Sequence, residues 1–167
     1  MSSPAGLRLV ALHPDTLRAL NAGRPDWAAA QPELGSEVWP EADRRVLRYR
    51  LAALEDDPSS APYLLHAIVD DEGRILGRIG CHAGPDAVGE VEIGYFVRAD
   101  ARGHGVAGWA VDEFLGWLAS VGVTSVLASV RPDNEPSLVI LRRRDFVEVD
   151  SHVDEEDGLE LVYRRSP

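Results

Sequence analysis

Residues 92–108, which read EIGYFVRADARGHGVAG, decide the fold of this chain because the spacing of apolar side chains changes within them. Residues 90–97 alternate as a strand does, and the alternation places four residues on one face: Glu90, Glu92, Gly94 and Phe96. Residues 105–121 instead repeat their apolar positions at a helical interval, and Gly122 ends that pattern. The sequence therefore predicts a strand, a glycine-rich loop and a helix in direct succession.

The loop, residues 98–108, carries small residues that leave backbone N–H groups accessible at the start of the helix. The first N–H groups of a helix are unpaired and lie at the positive end of its dipole, so phosphate binds there readily. The alternative is a turn in which the glycines only supply positive φ angles. So many glycines at one helix start favour a phosphate site.

Gly103, Gly105 and Gly108 also match the pattern G-x-G-x-x-G, so a nicotinamide dinucleotide is an alternative ligand. The first glycine, however, comes well after the end of the strand, and the preceding strands look antiparallel. Too little chain follows Val130 to build further parallel units. The match is therefore weak support for a dinucleotide-binding fold.

The rest of the chain predicts a mixed α+β fold in a single domain, residues 1–167. Before the deciding stretch we expect a strand at 7–12, a helix at 14–20, an irregular segment at 21–40 anchored by Trp27 and Trp39, an amphipathic helix at 41–54, and hairpin strands at 63–69 and 75–81. After it we expect a strand at 125–130, a helix at 134–144, and a closing hairpin of 146–150 and 159–164. These elements form a central, mostly antiparallel sheet flanked by helices, with a β-α-β-α C-terminal half.

Composition excludes several classes of protein. The chain has 167 residues and a formal net charge of -11, which makes a nucleic-acid partner improbable because phosphate neutralisation needs a basic face. No apolar run is long enough to span a membrane, and the N-terminus lacks the order of a signal peptide. The single cysteine, Cys81, favours a reducing compartment, so we expect a cytoplasmic monomer or homodimer without a metal site.

The sequence resembles the GCN5-related N-acetyltransferases, the GNAT family, across nearly its whole length. Residues 102–107, RGHGVA, match the family's (Arg/Gln)-x-x-Gly-x-(Gly/Ala) loop, and residues 92–97 are similar to the strand before it. Residues 134–137, NEPS, with Phe146, are similar to the start and end of its last helix. Within the family, these motifs look most like the branch that acetylates the N-termini of ribosomal proteins.

The resemblance implies that the cofactor is acetyl-CoA and that its pyrophosphate binds the loop. The residues implied in the loop are Arg102, Gly103, His104, Gly105, Val106 and Ala107. The strand backbone at Phe96, Val97 and Arg98 would pair with the pantetheine arm, and Asn134 would bind the cofactor from the next helix. Arg102 and Asn134 also have structural interpretations, as a solvated arginine and a helix N-cap.

Acetyl transfer to an amine needs a base for the ammonium and an acid for the departing thiolate. The resemblance implies Glu92 as the base, with Glu90 and His82 as alternatives, although Glu92 on an alternating strand also fits a surface side chain. The tyrosine that many relatives use as the acid is replaced by Leu141. Ser137 is implied in its place, or else serves only the first turn of its helix.

A second departure is Asp145, which stands where the family has glycine, and aspartate tolerates the left-handed conformation needed there. The expected function is direct acetyl transfer to a primary amine, either a protein N-terminus or a small cationic amine. Negative net charge and the acidic residues 154–157 favour a cationic acceptor. The alternative is a non-catalytic domain on the same fold that binds or senses acyl-CoA.

Overall fold

A computed structural model describes residues 6–24, 31–34 and 44–167. Seven strands in these residues form one sheet in the order β1-β2-β3-β4-β5-β7-β6. The strands are β1 (Arg8–Ala11), β2 (His66–Val69), β3 (Ile75–Cys81), β4 (Glu90–Val97), β5 (Ser125–Val130), β6 (Val147–Asp154) and β7 (Gly158–Arg165). The α-helices are α1 (Pro14–Asn21), α2 (Arg44–Asp56), α3 (Ala61–Leu64), α4 (Val106–Ser120) and α5 (Glu135–Arg142).

Strand pairing confirms the predicted fold class. Strands β1 to β4 pair antiparallel in chain order, and β5, β7 and β6 form a second antiparallel group. The two groups join where β4 and β5 pair in parallel, on either side of the crossover helix α4. One parallel pair in an otherwise antiparallel sheet is inconsistent with the doubly wound sheet of a dinucleotide-binding fold.

Helices cover both faces of the sheet, as its alternating strands require. Helices α1 and α2 pack on one face of β1 to β3 through a cluster that includes Leu17, Leu47 and Ala67. Helices α4 and α5 pack on the opposite face through Phe114 and Leu138. Polar side chains of β5 and β7, among them Ser129 and Glu160, line a cavity.

Several predicted boundaries differ from the structure. Tyr63 was predicted to begin a strand, but it lies in the short helix α3, because Pro62 sits in a first helical turn where its missing N–H costs nothing. The first strand of the closing hairpin continues to Asp154 instead of ending at residue 150. The tryptophan anchors, Trp27 and Trp39, and the start of the predicted helix at 41–43 lie outside the described residues.

Two further features bear on earlier expectations. Asp145 has a φ of 60°, so aspartate takes the left-handed conformation that ends α5. In the part of the chain that the structure describes, no helix has both the length and the apolar character needed to cross a lipid bilayer.

Candidate active site

Gly105 immediately precedes α4 and leaves the helix N-terminus open. Its φ of 79° is left-handed, and no side chain caps the helix. Gly103 has the same φ, and a Cβ added at either glycine would meet no atom within 4 Å. The backbone conformation therefore requires glycine, while the space around these residues is open. An anion can approach the first N–H groups of α4, and phosphate binding there stays a prediction.

A cavity of about 710 Å³ lies between the start of α4 and α5. Of the residues predicted to contact the cofactor, the following line it: Phe96, Val97, Arg102, Gly103, Gly105, Val106, Ala107 and Asn134. The volume lies within the range of roughly 300–1,000 Å³ that is usual for small-molecule sites. The structure thus brings residues of a strand, a loop and a helix together around one cavity.

Arg98 and His104 do not line this cavity. The Arg98 guanidinium donates to the carboxylate of Asp100, and the Arg98 N–H donates to the Leu76 carbonyl, with an N–O distance of 2.9 Å. The structure therefore pairs this N–H within the sheet instead of leaving it for a cofactor. Arg102 is held at the cavity because its Nε donates to the Val97 carbonyl and its guanidinium lies 5.5 Å from the centre of the Phe96 ring.

The position of Arg98 also fixes which backbone groups of β4 point away from β3. Successive residues of a strand direct their N–H and C=O groups to opposite sides, so Phe96 points these groups toward β3, as Arg98 does. Tyr95 and Val97 point theirs toward β5. Pairing of β4 with β5 ends at Glu92, so the Tyr95 backbone lies where the two strands have separated. Backbone pairing with a cofactor is therefore available at Tyr95 and at the Val97 N–H rather than at Phe96.

A second cavity, of about 340 Å³, lies at this separation of the strands. It is lined by residues of β4, β5, α5 and the closing hairpin, among them Ser129, Asp157 and Glu160. Three residues line both cavities: Tyr95, Asn134 and Ser137. Groups bound in the two cavities therefore approach one another beside these three residues.

Asn134 and Ser137 are brought to the meeting point by the first turn of α5. The Asn134 side-chain oxygen caps the helix by accepting a hydrogen bond from the Ser137 N–H, with an N–O distance of 3.3 Å. The predicted N-cap is thus present, and the same residue lines both cavities. Capping fixes the start of α5, so it also fixes the backbone position of Ser137.

The Tyr95 side chain is the residue at this point that sequence analysis missed. Its hydroxyl oxygen is buried and lies near the Ser137 hydroxyl. Burial raises the pKa of Tyr95, and the nearby Ser137 hydroxyl and Arg144 oppose that rise. The alternation of β4 places Tyr95 on the opposite face from Glu92, and nothing in the sequence indicates that it lies near Ser137.

Glu92 is near the second cavity but is not among its lining residues. Its Oε1 accepts a hydrogen bond from the Ser129 hydroxyl, with an O–O distance of 2.6 Å. Ser129 does line the cavity, so it connects the carboxylate to the space where an acceptor can enter. Sequence analysis missed Ser129 because its contact with Glu92 depends on the register of β5 against β4.

His82 and Arg50 lie on the other side of Glu92. The Nδ1 of His82 is 3.6 Å from Oε2 of Glu92. Burial lowers the pKa of His82, and the Arg50 cation lowers it further, whereas Glu92 opposes both effects. The pKa of Arg50 is itself lowered to about 10 by burial and by Arg78. The His82 imidazole is therefore neutral at neutral pH. It lies beside the Glu92 carboxylate, which interacts with the buried Arg50 cation.

Glu90 is held away from both cavities. The Ser125 hydroxyl donates to its carboxylate over 2.7 Å, and Arg164 donates to it from the last strand over 3.0 Å. These contacts fix β4 against β5 and β7, so the structural interpretation fits Glu90 better than the role of a base.

The closing hairpin supplies acidic groups to the second cavity. Asp157 and Glu160 line it, and burial raises the pKa of Glu160. Arg45 of α2 forms ion pairs with Asp157 and with Glu156, the latter over 2.7 Å. The acidic tip is thus tied across to α2 and is partly neutralised there.

Comparisons with known proteins agree with this geometry. Residues 7–147 match the sequence model of the acetyltransferase (GNAT) domain, and no curated protein sequence matches the chain. Solved acetyltransferase structures are also similar to the chain. The ribosomal L7/L12 alpha-N-protein acetyltransferase RimL, in complex with coenzyme A, is 16% identical with a TM-score of 0.69, over 99% of this chain and 96% of RimL.

Spermidine N-acetyltransferase from Vibrio cholerae is 15% identical with a TM-score of 0.67, over 98% of this chain and 95% of that one. The microcin C7 self-immunity acetyltransferase MccE, in complex with acetyl-CoA and AMP, is 14% identical with a TM-score of 0.66, over 98% and 94%. At these identities the structures support the fold, and the match over residues 7–147 establishes the family. The chain belongs to the GNAT family of acetyltransferases.

Proposed function

We propose that this protein is an acetyl-CoA-dependent N-acetyltransferase that passes the acetyl group directly to a primary amine. The observation that carries the proposal is the meeting of two cavities beside Tyr95, Asn134 and Ser137. Direct transfer needs a donor and an acceptor that reach one point from separate sites. The single cysteine, Cys81, is buried, and burial raises its pKa to about 12, so a covalent acetyl-cysteine is not part of the proposal.

The larger cavity suits acetyl-CoA in its chemistry. The uncapped start of α4 offers N–H groups to the pyrophosphate, Arg102 adds a cation, and the separated part of β4 offers backbone groups to the pantetheine amides. Bound acetyl-CoA supplies a thioester whose carbonyl carbon accepts the amine. The RimL and MccE structures, which hold coenzyme A and acetyl-CoA, support this donor.

The smaller cavity suits a cationic amine. Asp157 and Glu160 line it, and Glu92 lies one hydrogen bond away. Arg131 also lines it, but its charge is paired with Asp133, so the carboxylates attract an ammonium group into the cavity. An extended peptide N-terminus and a small polyamine both fit this description. The acceptors named for the similar structures, a ribosomal protein and spermidine, are amines of these two kinds.

Glu92 serves as the base through Ser129. The Ser129 hydroxyl donates to Oε1 of Glu92, so its oxygen is free to accept a proton from an amine in the cavity. As the amine proton moves to the Ser129 oxygen, the Ser129 proton moves to Glu92. The amine nitrogen then holds the lone pair that attacks the thioester.

Calorimetry with acetyl-CoA tests the donor site. Gly105→Glu should abolish binding, because a charged side chain would occupy the space before the N–H groups of α4. Gly122→Glu is the matched control, since Gly122 also has a positive φ, 85°, and open surroundings but lies at the far end of the helix. Equal binding by both variants would contradict the donor site.

Release of CoA with a panel of amines tests the activity. The panel includes peptides with free N-termini, polyamines and aminoglycosides, and we expect release with at least one of them. Binding of acetyl-CoA without release with any amine would favour the alternative of a non-catalytic domain. Protection of the protein against thermal unfolding by NAD or NADP, but not by CoA, would instead favour a dinucleotide.

A further inference from the structure

Three consecutive arginines, Arg142, Arg143 and Arg144, form the longest basic run in a chain whose net charge is -11. Arg142 is the last residue of α5, and Arg143 caps its C-terminus. Successive residues of a helix point about 100° apart around its axis. The three side chains therefore face different surroundings, although they are neighbours in the sequence.

The first and third arginines are bound by groups of the protein itself. Arg142 donates to the Tyr163 hydroxyl over 3.5 Å and lies 3.8 Å from Oε1 of Glu135. Arg144 donates two hydrogen bonds, each of 2.7 Å, to the Asp112 carboxylate. Arg142 thus connects α5 with β7, and Arg144 connects α5 with α4.

Arg143 differs from both of its neighbours. Its side chain is exposed and lines the larger cavity, and it forms no ion pair with a carboxylate of residues 6–24, 31–34 or 44–167. Asp112 is the acidic residue among the described lining residues, and Arg144 neutralises it. This part of the cavity wall therefore carries a positive charge that the described residues leave uncompensated.

The position of Arg143 is at the end of the larger cavity that lies away from the smaller one. Ser137, which lines both cavities, precedes Arg143 by six residues, a distance of about 9 Å along α5. On the opposite wall, α4 lines the cavity from Val106 to Asp112. The hydrogen bonds between Arg144 and Asp112 hold α4 against this end of α5. The cavity therefore extends from the meeting point at Ser137 to a positively charged end at Arg143.

The order of the groups in coenzyme A matches this arrangement. Its sulfur is followed by the pantetheine arm, then the pyrophosphate, and finally a ribose that carries a 3′-phosphate and adenine. With the thioester at the meeting point and the pyrophosphate at the N–H groups of α4, the ribose 3′-phosphate is the anion that remains for the far end. Such a phosphate carries close to two negative charges at neutral pH, and a guanidinium can bind it through two parallel hydrogen bonds.

We propose that Arg143 binds the 3′-phosphate of the cofactor and makes the site select CoA over 3′-dephospho-CoA, a role that rests on the proposed function. The pyrophosphate has other partners, the N–H groups of α4 and the Arg102 cation. Side chains of a helix point back toward its N-terminus, so the Arg143 guanidinium extends over Val139 and Ile140, which line the same cavity. The C-terminal end of a helix dipole repels an anion, so the attraction comes from the guanidinium and not from the end of α5.

Calorimetry with CoA and with 3′-dephospho-CoA tests this role without turnover. At about pH 7.5, where the 3′-phosphate is mostly a dianion, the parent protein should bind CoA more tightly than 3′-dephospho-CoA. Arg143→Gln should reduce this preference about fivefold to tenfold, because it removes a charge-assisted contact that only CoA can make. The affinity of the variant for 3′-dephospho-CoA should stay near the parent value. Arg143→Lys keeps the cation but not the planar donor pair, so it should retain part of the preference.

Arg142→Gln is the matched control. Arg142 is the adjacent residue and is also exposed, but it lines neither cavity. Its replacement changes the net charge of the protein by the same amount as Arg143→Gln, and it should keep the parent preference. Added salt should weaken the preference of the parent and of Arg142→Gln, and should have little effect on what remains of it in Arg143→Gln.

Equal affinity of the parent protein for CoA and 3′-dephospho-CoA would overturn the role of Arg143 and leave the donor site in place. An equal loss of affinity for both ligands in Arg143→Gln would overturn it in favour of a contact with the pyrophosphate. A loss of preference in Arg142→Gln as large as in Arg143→Gln would overturn it in favour of the overall charge of the arginine run. Absence of binding of either ligand by the parent protein would overturn the proposed function itself, and this role with it.

Discussion

Glu92 and Glu160 are carboxylates at the proposed acceptor site, and their surroundings differ. Glu92 accepts the Ser129 hydrogen bond and lies beside a neutral imidazole. Glu160 lines the cavity directly; burial raises its pKa, His152 opposes that rise and Asp157 adds to it. The first arrangement suits proton transfer through a fixed hydroxyl, and the second suits holding an ammonium group.

Exchange of each carboxylate for an amide separates these roles. Glu92→Gln should lower kcat by about 10²–10⁴-fold with little change in the KM of the amine, because it removes the base. Glu160→Gln should mainly raise that KM. Steady-state kinetics over a range of pH measures both, and Glu90→Gln is the control, since Glu90 lies on the same strand but lines neither cavity.

The reverse pattern, with kcat lost in Glu160→Gln and KM raised in Glu92→Gln, would transfer the role of base to Glu160. Parent kinetics in both variants would leave His82 as the next residue to replace. Ser129→Ala should reproduce most of the loss of kcat in Glu92→Gln, because it interrupts the connection from the cavity to the carboxylate.

Sequence analysis found the residues that belong to motifs and missed those that depend on register. Glu92 could be placed on a face of β4 because alternation alone decides it. Ser129 and Glu160 reach the site only through the pairing of β5 with β4 and of β7 with β5. The proximity of Tyr95 to Ser137 and Arg144 depends on how α5 packs against β4, which no local pattern contains.

At the scale of elements, His66 joins β2 to α4. Its ring lies against Phe114 and Trp117, with ring centres 5.0 and 5.3 Å away. Burial lowers the pKa of His66 to about 4. The histidine is therefore neutral in the folded protein over a pH range in which it is protonated in the unfolded chain.

This difference makes the contact between β2 and α4 sensitive to acid. Between about pH 6.5 and pH 4 the unfolded state binds the additional proton, so the free energy of unfolding should fall as pH is lowered, by up to about 3 kcal/mol from this residue. Chemical denaturation across that range measures the effect. His66→Phe keeps a ring against α4 and should flatten this part of the pH dependence; an equally steep dependence in the variant would assign it to other groups.

Most helices and strands could be predicted because the spacing of their apolar residues is clear, and the exceptions have local causes. The segment at Tyr63 reads as a strand by composition, but Pro62 at a helix start and the return of the chain into β2 favour one helical turn. The extra length of β6 is supported only by its pairing with β7, since its own side chains are exposed. The spacing of apolar residues does not predict pairing with a strand that is distant in the sequence.

At the scale of the whole molecule, the excess of acidic residues attracts a cationic acceptor toward the protein. The net charge is -11, and part of it lies at the hairpin tip beside the second cavity, where Arg45 neutralises Asp157 and Glu156. Such attraction is screened over a distance of about 8 Å at physiological ionic strength. Its contribution to catalysis therefore depends on salt.

We expect kcat/KM to fall as salt rises, and to fall more steeply for a multiply charged amine than for a singly charged one. Arg45→Gln should make the fall steeper, because it removes the cation that neutralises the tip. Initial rates over a series of salt concentrations measure the slopes. A rate independent of salt, or preference for an anionic amine over its neutral analogue, would remove electrostatic attraction from the account of acceptor choice.

The early end of the parallel pairing between β4 and β5 has a consequence for the life of the protein in the cell. Beyond Glu92, the middle of the sheet leaves backbone groups of β4 for a ligand to pair with. On the proposed function acetyl-CoA fills that place and binds only the folded chain. Its concentration then adds directly to the free energy of unfolding, by about 2.7 kcal/mol when it exceeds the dissociation constant a hundredfold. The abundance of the enzyme would follow the supply of its own donor, so that a starved cell holds less of it through proteolysis alone.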